Sequence, residues 1–151
     1  MSKRVTQLMN QPPVTCTVHD NLNTAAGLMW EHDCGVVPVV DDRQLAGIIT
    51  DRDICMAAFI QGKTLSEIPV VDIMSTEVCA CHADETVEAA QRRMSEYQVR
   101  RMPVLDEDNR LIGVLSLNDI AREAAHAAEG EGVKRSLVQT LGAICQPRGP
   151  S

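Results

Sequence analysis

The chain has 151 residues, of which 14 are basic and 21 acidic, for a formal charge of -7 at neutral pH. Its length can bury roughly 70 % of the unfolded surface, so one domain or two small interdependent ones can fold without staples. The acidic balance repels a phosphate backbone, and only Trp30, Phe59 and Tyr97 are aromatic, which speaks against nucleic acid as a partner.

The chain opens with Lys3 and Arg4, but Asn10, Gln11 and the pair Pro12 and Pro13 interrupt any apolar core of a signal peptide. No stretch has the length and apolarity of a membrane span, so a cytoplasmic location is expected. The six cysteines, Cys16, Cys34, Cys55, Cys79, Cys81 and Cys145, are then expected as free thiols.

Next comes a short extended segment over residues 14–18. The polar turn Asn21, Leu22, Asn23, Thr24 opens a helix carrying Ala25, Leu28 and Met29 at helical spacing. Two β-rich runs follow, 36–40 and 45–49, joined by an acidic turn that suits a hairpin. A second helix is expected from Asp51. The connector 61–69 combines Gly62, a capping-box spacing from Thr64 to Glu67, and Pro69.

The same order then recurs: an extended segment over 78–81, a helix after Glu85 and Thr86 carrying Val87, Ala90 and Met94, strands over 99–105 and 111–115, and a helix from Leu117. A shift of 65 positions places Met9 on Met74, Cys16 on Cys81, Ala25 on Ala90 and Pro38 on Pro103. One extra residue in the second turn moves the shift to 66, and Gly47, Thr50, Asp53 and Ile54 then meet Gly113, Ser116, Asp119 and Ile120. A period this long, present twice, indicates a duplicated β-α-β-β-α domain with an internal pseudo-twofold. After Gly130, Glu131 and Gly132, the apolar positions Val133, Leu137, Leu141 and Ile144 predict a C-terminal helix, then a frayed tail.

The runs from Gly47 to Ile54, Val99 to Asp106 and Gly113 to Ile120 resemble the paired CBS domains, or Bateman module, and the likeness extends over residues 5–128 in both copies. Length and ending resemble the small stand-alone bacterial members. The resemblance implies a mixed α+β fold of tandem CBS domains plus a C-terminal helix. The domains expected are 1–62, the first CBS domain with the N-terminal segment; 63–70, the linker; 71–128, the second; and 129–151, helix and tail. It also implies a homodimer, arranged head-to-head or head-to-tail, and clefts between paired domains that take AMP, ATP, NAD or a similar adenosyl ligand.

In both copies a strand runs into Ser/Thr-x-x-Asp and then helix, which puts Thr50 or Ser116 at the N-cap and the acid in the first turn. By family resemblance Asp53 and Asp119 would hold the ribose, and Thr50 and Ser116 would add a polar contact. The free N–H groups of the helix start favour a phosphate. Arg52 stands there in the first copy and Asn118 in the second, whereas Arg100 and Arg101 replace Gly35 and Val36. The two clefts are therefore expected to differ in affinity. Val37 and Pro38, or Met102 and Pro103, would wall the adenine, with Thr15 and Ala80 completing each cleft.

Other readings of the same residues stay open. Ser/Thr-x-x-Asp is also an ordinary capping device that needs no ligand. Cys79, Cys81 and His82 carry zinc-type donors, but no nearby second pair closes a tetrahedron, and no metal is expected. Cys16 with Cys81, or Cys34 with Cys145, could sense oxidation. No nucleophile and base, or convergent acid pair, is spaced for catalysis; His19, His32, His82 and His126 fall on separate turns or helices, so no enzyme is expected. The two main readings are a module that senses an adenosine nucleotide and reports to an effector protein, and a purely structural dimerisation protein.

Overall fold

The structure is a computed structural model that describes residues 3–126 and 131–147, without the side chains of 131–133. The glycine break expected at Gly130 and most of the expected tail lie outside the described residues. The chain forms two compact units.

The first-repeat unit contains Pro12–Val78 with Asn109–Leu111. It runs β1 (Cys16–Thr17), α1 (Leu22–Glu31), β2 (Val36–Asp41), β3 (Gln44–Thr50) and α2 (Asp51–Gln61), then short 3-10 turns at Leu65–Glu67 and Val70–Asp72. The strands lie in the order β1-β2-β3, with β1 parallel and β3 antiparallel to β2. The hairpin closes through Asp42 and Arg43, whose φ angles of 48° and 73° match a two-residue turn with left-handed central residues. Asn21 caps α1 by accepting from the Thr24 amide at 3.0 Å. Gly62, at φ 62°, ends α2 in the left-handed conformation glycine adopts without a Cβ clash. Leu22, Ala25, Met29, Val37, Val39, Ile49 and Ile54 form the core, joined by Ile68 and Val70 from the connector.

The second-repeat unit comprises the described residues of Met1–Gln11, Cys79–Asp108 and Ile112–Ser151. Its elements are β4 (Cys81–His82), α3 (Val87–Tyr97), β5 (Arg101–Leu105), β6 (Leu111–Ser116), α4 (Leu117–His126) and α5 (Glu131–Ile144). The sheet order is β4-β5-β6, with β4 parallel to β5. The predicted C-terminal helix is present as α5, which packs on α3 and α4 and places Ile144 in the core. The Gln98 side chain donates to the carbonyls of Ala143 and Gln146 and so ties down the end of α5.

One grouping departs from the sequence expectation. The N-terminal segment, assigned to residues 1–62, packs in the second-repeat unit. Val5 is fully buried there, its amide donates to the Glu85 carbonyl at 2.9 Å, and the Val87 amide donates to the Lys3 carbonyl at 2.9 Å. The connector does the same for the first repeat, with Val70 fully buried and its amide 2.9 Å from the Asp20 carbonyl. Val5 and Val70 are equivalent at the 65-residue shift. Each repeat is thus completed by a 3-10 turn that precedes the other copy in sequence, because each sheet has an apolar slot that its own β-α-β-β-α run leaves unfilled.

Candidate functional site

Strand ends and helix starts bring Thr50 to Asp53 and Ser116 to Asp119. β3 delivers Thr50 to the N-cap of α2, where the Thr50 Oγ1 accepts from the Asp53 amide at 3.1 Å and the Thr50 amide donates to Asp53 Oδ2 at 3.0 Å. This is a closed capping box. Asp53 is half-buried, and among the described residues its other oxygen, Oδ1, accepts no hydrogen bond. Arg52 and Asp51 beside it are exposed.

β6 delivers Ser116 to the matching position before α4, but the carboxylate there is differently placed. Asp119 is only 6 % exposed. Its Oδ2 accepts from the Ser116 amide at 2.9 Å, the Ser116 hydroxyl at 2.6 Å and the Asn10 side-chain amide at 2.8 Å. Its Oδ1 accepts from the Arg122 guanidinium. Burial alone would raise the pKa of this carboxyl, but the bonds from Ser116, Asn10 and Arg122 outweigh it and hold the group below its ordinary value.

Nothing in the local sequence marks Asn10 or Arg122 as partners of Asp119, since Asn10 precedes the repeat that it does not complete. Their signal lies in the alignment of the copies: Asn10 matches Ser75 at a shift of 65 and Arg122 matches Met56 at 66, so the second copy has a longer amide and a guanidinium where the first has a hydroxyl and a thioether.

The expected adenine wall is mostly core. Val37 and Met102 are 0 % exposed, and Pro38 and Pro103 are buried beside them, so these positions offer main chain more than side-chain surface. Val36 and Arg101 are half-buried, and Asn118 and Arg100 are exposed. The Arg100 carbonyl accepts from the Leu117 amide at 2.8 Å, as the Gly35 carbonyl accepts from Asp51 at 2.9 Å. Strands β1 and β4 begin at Cys16 and Cys81, so half-buried Thr15 and Ala80 lie just before them. The Ala80 carbonyl accepts from Arg93 at 2.6 Å, and Arg93 also pairs with Glu85 at 2.8 Å.

Cys16 and Cys81 occupy equivalent buried positions, and burial pushes their thiols up to about 11 and about 12 respectively. Cys79 is raised for the same reason and its Sγ lies 3.3 Å from Met102 Sδ. His82 lies on β4 and not on a turn or helix. Among the described residues no three His, Cys, Asp or Glu side chains gather as a metal site. A cleft of about 230 Å³ lined by Gln91, Ser95, Ser136 and Thr140 sits against α3 and α5, apart from every predicted residue.

Two duplicated mixed α+β units, each with a capping-box carboxylate at a strand-to-helix junction, define a tandem module. The family model of the CBS domain matches residues 5–59 and again 66–126. The chain belongs to the CBS domain family and carries the domain twice.

It is 35% identical over 117 residues to the CBS domain-containing protein YhcV of Bacillus subtilis, covering 78% of this chain and 82% of that one. It is 35% identical over 136 residues to hypoxic response protein 1 of Mycobacterium tuberculosis, covering 89% of each. Among solved structures it resembles hypoxic response protein I with two coordinated zinc ions, at 32% identity and a TM-score of 0.73, covering 80% of this chain and 98% of that one. It also resembles the CBS pair of MJ0100 in complex with 5'-methylthioadenosine and S-adenosylmethionine, at 29% identity and a TM-score of 0.72, over 83% and 98% of the two chains. A third likeness is CBSX2 in complex with AMP, at 26% identity and a TM-score of 0.70, over 81% and 96%. Among the described residues no helix is long and apolar enough to cross a membrane.

Proposed function

We propose that this chain is a non-catalytic regulatory module that binds an adenosine-containing ligand, of the AMP, ATP, NAD or S-adenosylmethionine kind, through the strand-to-helix junctions of its repeats. The observation that carries the reading is the open oxygen of Asp53. A capping box needs only one carboxylate oxygen, and Oδ1 remains to accept a ribose hydroxyl. Thr50 adds a hydroxyl and Arg52 a cation; the first-turn amides of α2, expected to be free for a phosphate, are already bonded, to the Gly35 carbonyl, Asp51 Oδ1 and Thr50 Oγ1, so only the helix's positive end favours an anion there. Ser116, Asn118 and Asp119, with Arg100 and Arg101, are the second copy's equivalents. Thr15, Ala80 and the main chain at Val36, Val37, Pro38, Met102 and Pro103 are assigned to the base. The adenosyl ligands of the two CBS-pair relatives support the ligand class.

Dimerisation belongs to the same proposal. Trp30 is 88% exposed on α1, and Phe59 and Ile60 are 80% and 74% exposed on α2, which packs against α1. Large side chains left in water on neighbouring helices suit a self-association face. The alternative, a structural dimerisation protein, shares that face but predicts no ligand.

The test is a thermal-shift and calorimetry panel of AMP, ADP, ATP, NAD, NADH, 5'-methylthioadenosine and S-adenosylmethionine. A binding ligand at a hundred times its Kd adds about 2.7 kcal/mol of stability, roughly 5–10 °C for a chain of this size. Silence from the whole panel refutes the reading.

A further inference from the structure

The two repeats provide an internal control, because the same capping box is built twice and only one copy is sealed. In the second repeat the leading segment forms an antiparallel bridge, with the Asn10 amide 2.9 Å from the Val114 carbonyl and the Val114 amide 3.1 Å from the Asn10 carbonyl. That bridge fixes the Asn10 main chain, and its side-chain amide reaches Asp119 Oδ2 at 2.8 Å. One turn along α4, Arg122 takes Oδ1. In the first repeat Ser75 forms the same bridge with Ile48, at 2.9 Å in both directions. Its shorter side chain points elsewhere, with the hydroxyl 3.5 Å from the Glu77 carbonyl. Met56, at the position of Arg122, is 41% exposed and has nothing to donate.

We infer that Asn10 and Arg122 occupy the second repeat's carboxylate as a built-in competitor, so that each chain takes one adenosine ligand, at Asp53, although it carries the domain twice. This rests on the ligand reading above and adds which repeat is open and which residues close the other. A ribose diol approaching Asp119 finds Oδ2 accepting three bonds and Oδ1 covered by Arg122, with the side chain only 5 % exposed, so the guanidinium must move before a hydroxyl can reach the carboxylate.

The experiment exchanges the closing residues and counts sites by calorimetry per chain, using AMP, 5'-methylthioadenosine and S-adenosylmethionine as probes. The unaltered chain binds one equivalent, and Asp53→Asn abolishes binding. The pair Asn10→Ser with Arg122→Met gives the second repeat the first's residues and raises the count from one to two. The reverse pair, Ser75→Asn with Met56→Arg, weakens the Asp53 site by about tenfold or more. Either single change, Asn10→Ser or Arg122→Met, serves where a pair melts early, because Arg122 is 70% exposed and Asn10 keeps its main-chain bridge. Two equal sites in the unaltered chain, binding that survives Asp53→Asn, or a count still at one after opening, overturns the inference and leaves the ligand reading standing. No binding by any probe overturns the ligand reading itself, and the inference with it.

Discussion

Gly47 lies so close to Ser75 that a Cβ added to it would stand 2.8 Å from the Ser75 carbonyl oxygen and 2.7 Å from Met74 Sδ. Gly113 has the same relation to the other leading segment, 2.9 Å from the Asn10 carbonyl oxygen and 2.8 Å from Met9 Sδ. These are the positions where the residues just after each 3-10 turn are laid against the sheet, and the carbonyls cannot yield without breaking the bridge. Gly47→Ala and Gly113→Ala are each expected to cost about 1–3 kcal/mol. Gly27, in α1 with nothing within 4 Å of an added Cβ, is the control, and Gly27→Ala should stabilise by roughly 0.5–1 kcal/mol. Urea denaturation of the three variants checks the ordering.

The exchange of leading segments makes a second prediction. Val5 and Val70 are fully buried at equivalent positions, so Val5→Ala and Val70→Ala should each cost about 1.5–3 kcal/mol. Hydrogen exchange should locate the first loss in the second-repeat core, around Met94 and Leu115, and the second in the core around Leu22 and Ile49. Loss confined for both variants to residues 12–78 would contradict the grouping.

Much of this fold can be read in the sequence, and the reasons are local. Helical spacing, the Asn21 and Thr86 caps, the Asp42 turn and Gly62 each specify their element within a few residues, and the self-alignment at 65 and 66 does the rest. What local chemistry cannot show is that Val5 belongs with Glu85 and not with Val37, because both repeats offer the same slot. The two capping boxes of the candidate site are legible in the same way. Ser/Thr-x-x-Asp located both boxes, but sealing of Asp119 depends on Asn10, which is 109 residues away in sequence.

Thiol chemistry should separate the cysteines by burial. Cys16 and Cys81 hold their protons, with pKa values of about 11 and about 12, whereas Cys55 and Cys145 are exposed. A thiol reagent at neutral pH should label Cys55 and Cys145 first and reach Cys16 and Cys81 only on unfolding. Rapid labelling of Cys81 in the folded chain would argue for the redox reading.

Acid stability should report on Asp119. Its folded pKa lies below its ordinary value, so its contribution is present above the unfolded value of about 3.9 and is lost as pH falls through the folded one. Asp119→Asn should lower stability at pH 7 by about 1–3 kcal/mol, since it weakens the acceptors for Ser116, Asn10 and Arg122. It should also flatten the fall in stability below about pH 4. An unchanged acid limb would mean that the carboxylate is not tied as described.

The most direct measurement compares an adenosine ligand with its 2',3'-dideoxy counterpart on the same chain. A carboxylate at Asp53 that accepts ribose hydroxyls should favour the diol by about 10- to 100-fold, the weight of a charge-assisted hydrogen bond or two, and Asp53→Asn should erase the difference. Equal affinity for the two ligands, or a preference that survives Asp53→Asn, would contradict the assignment.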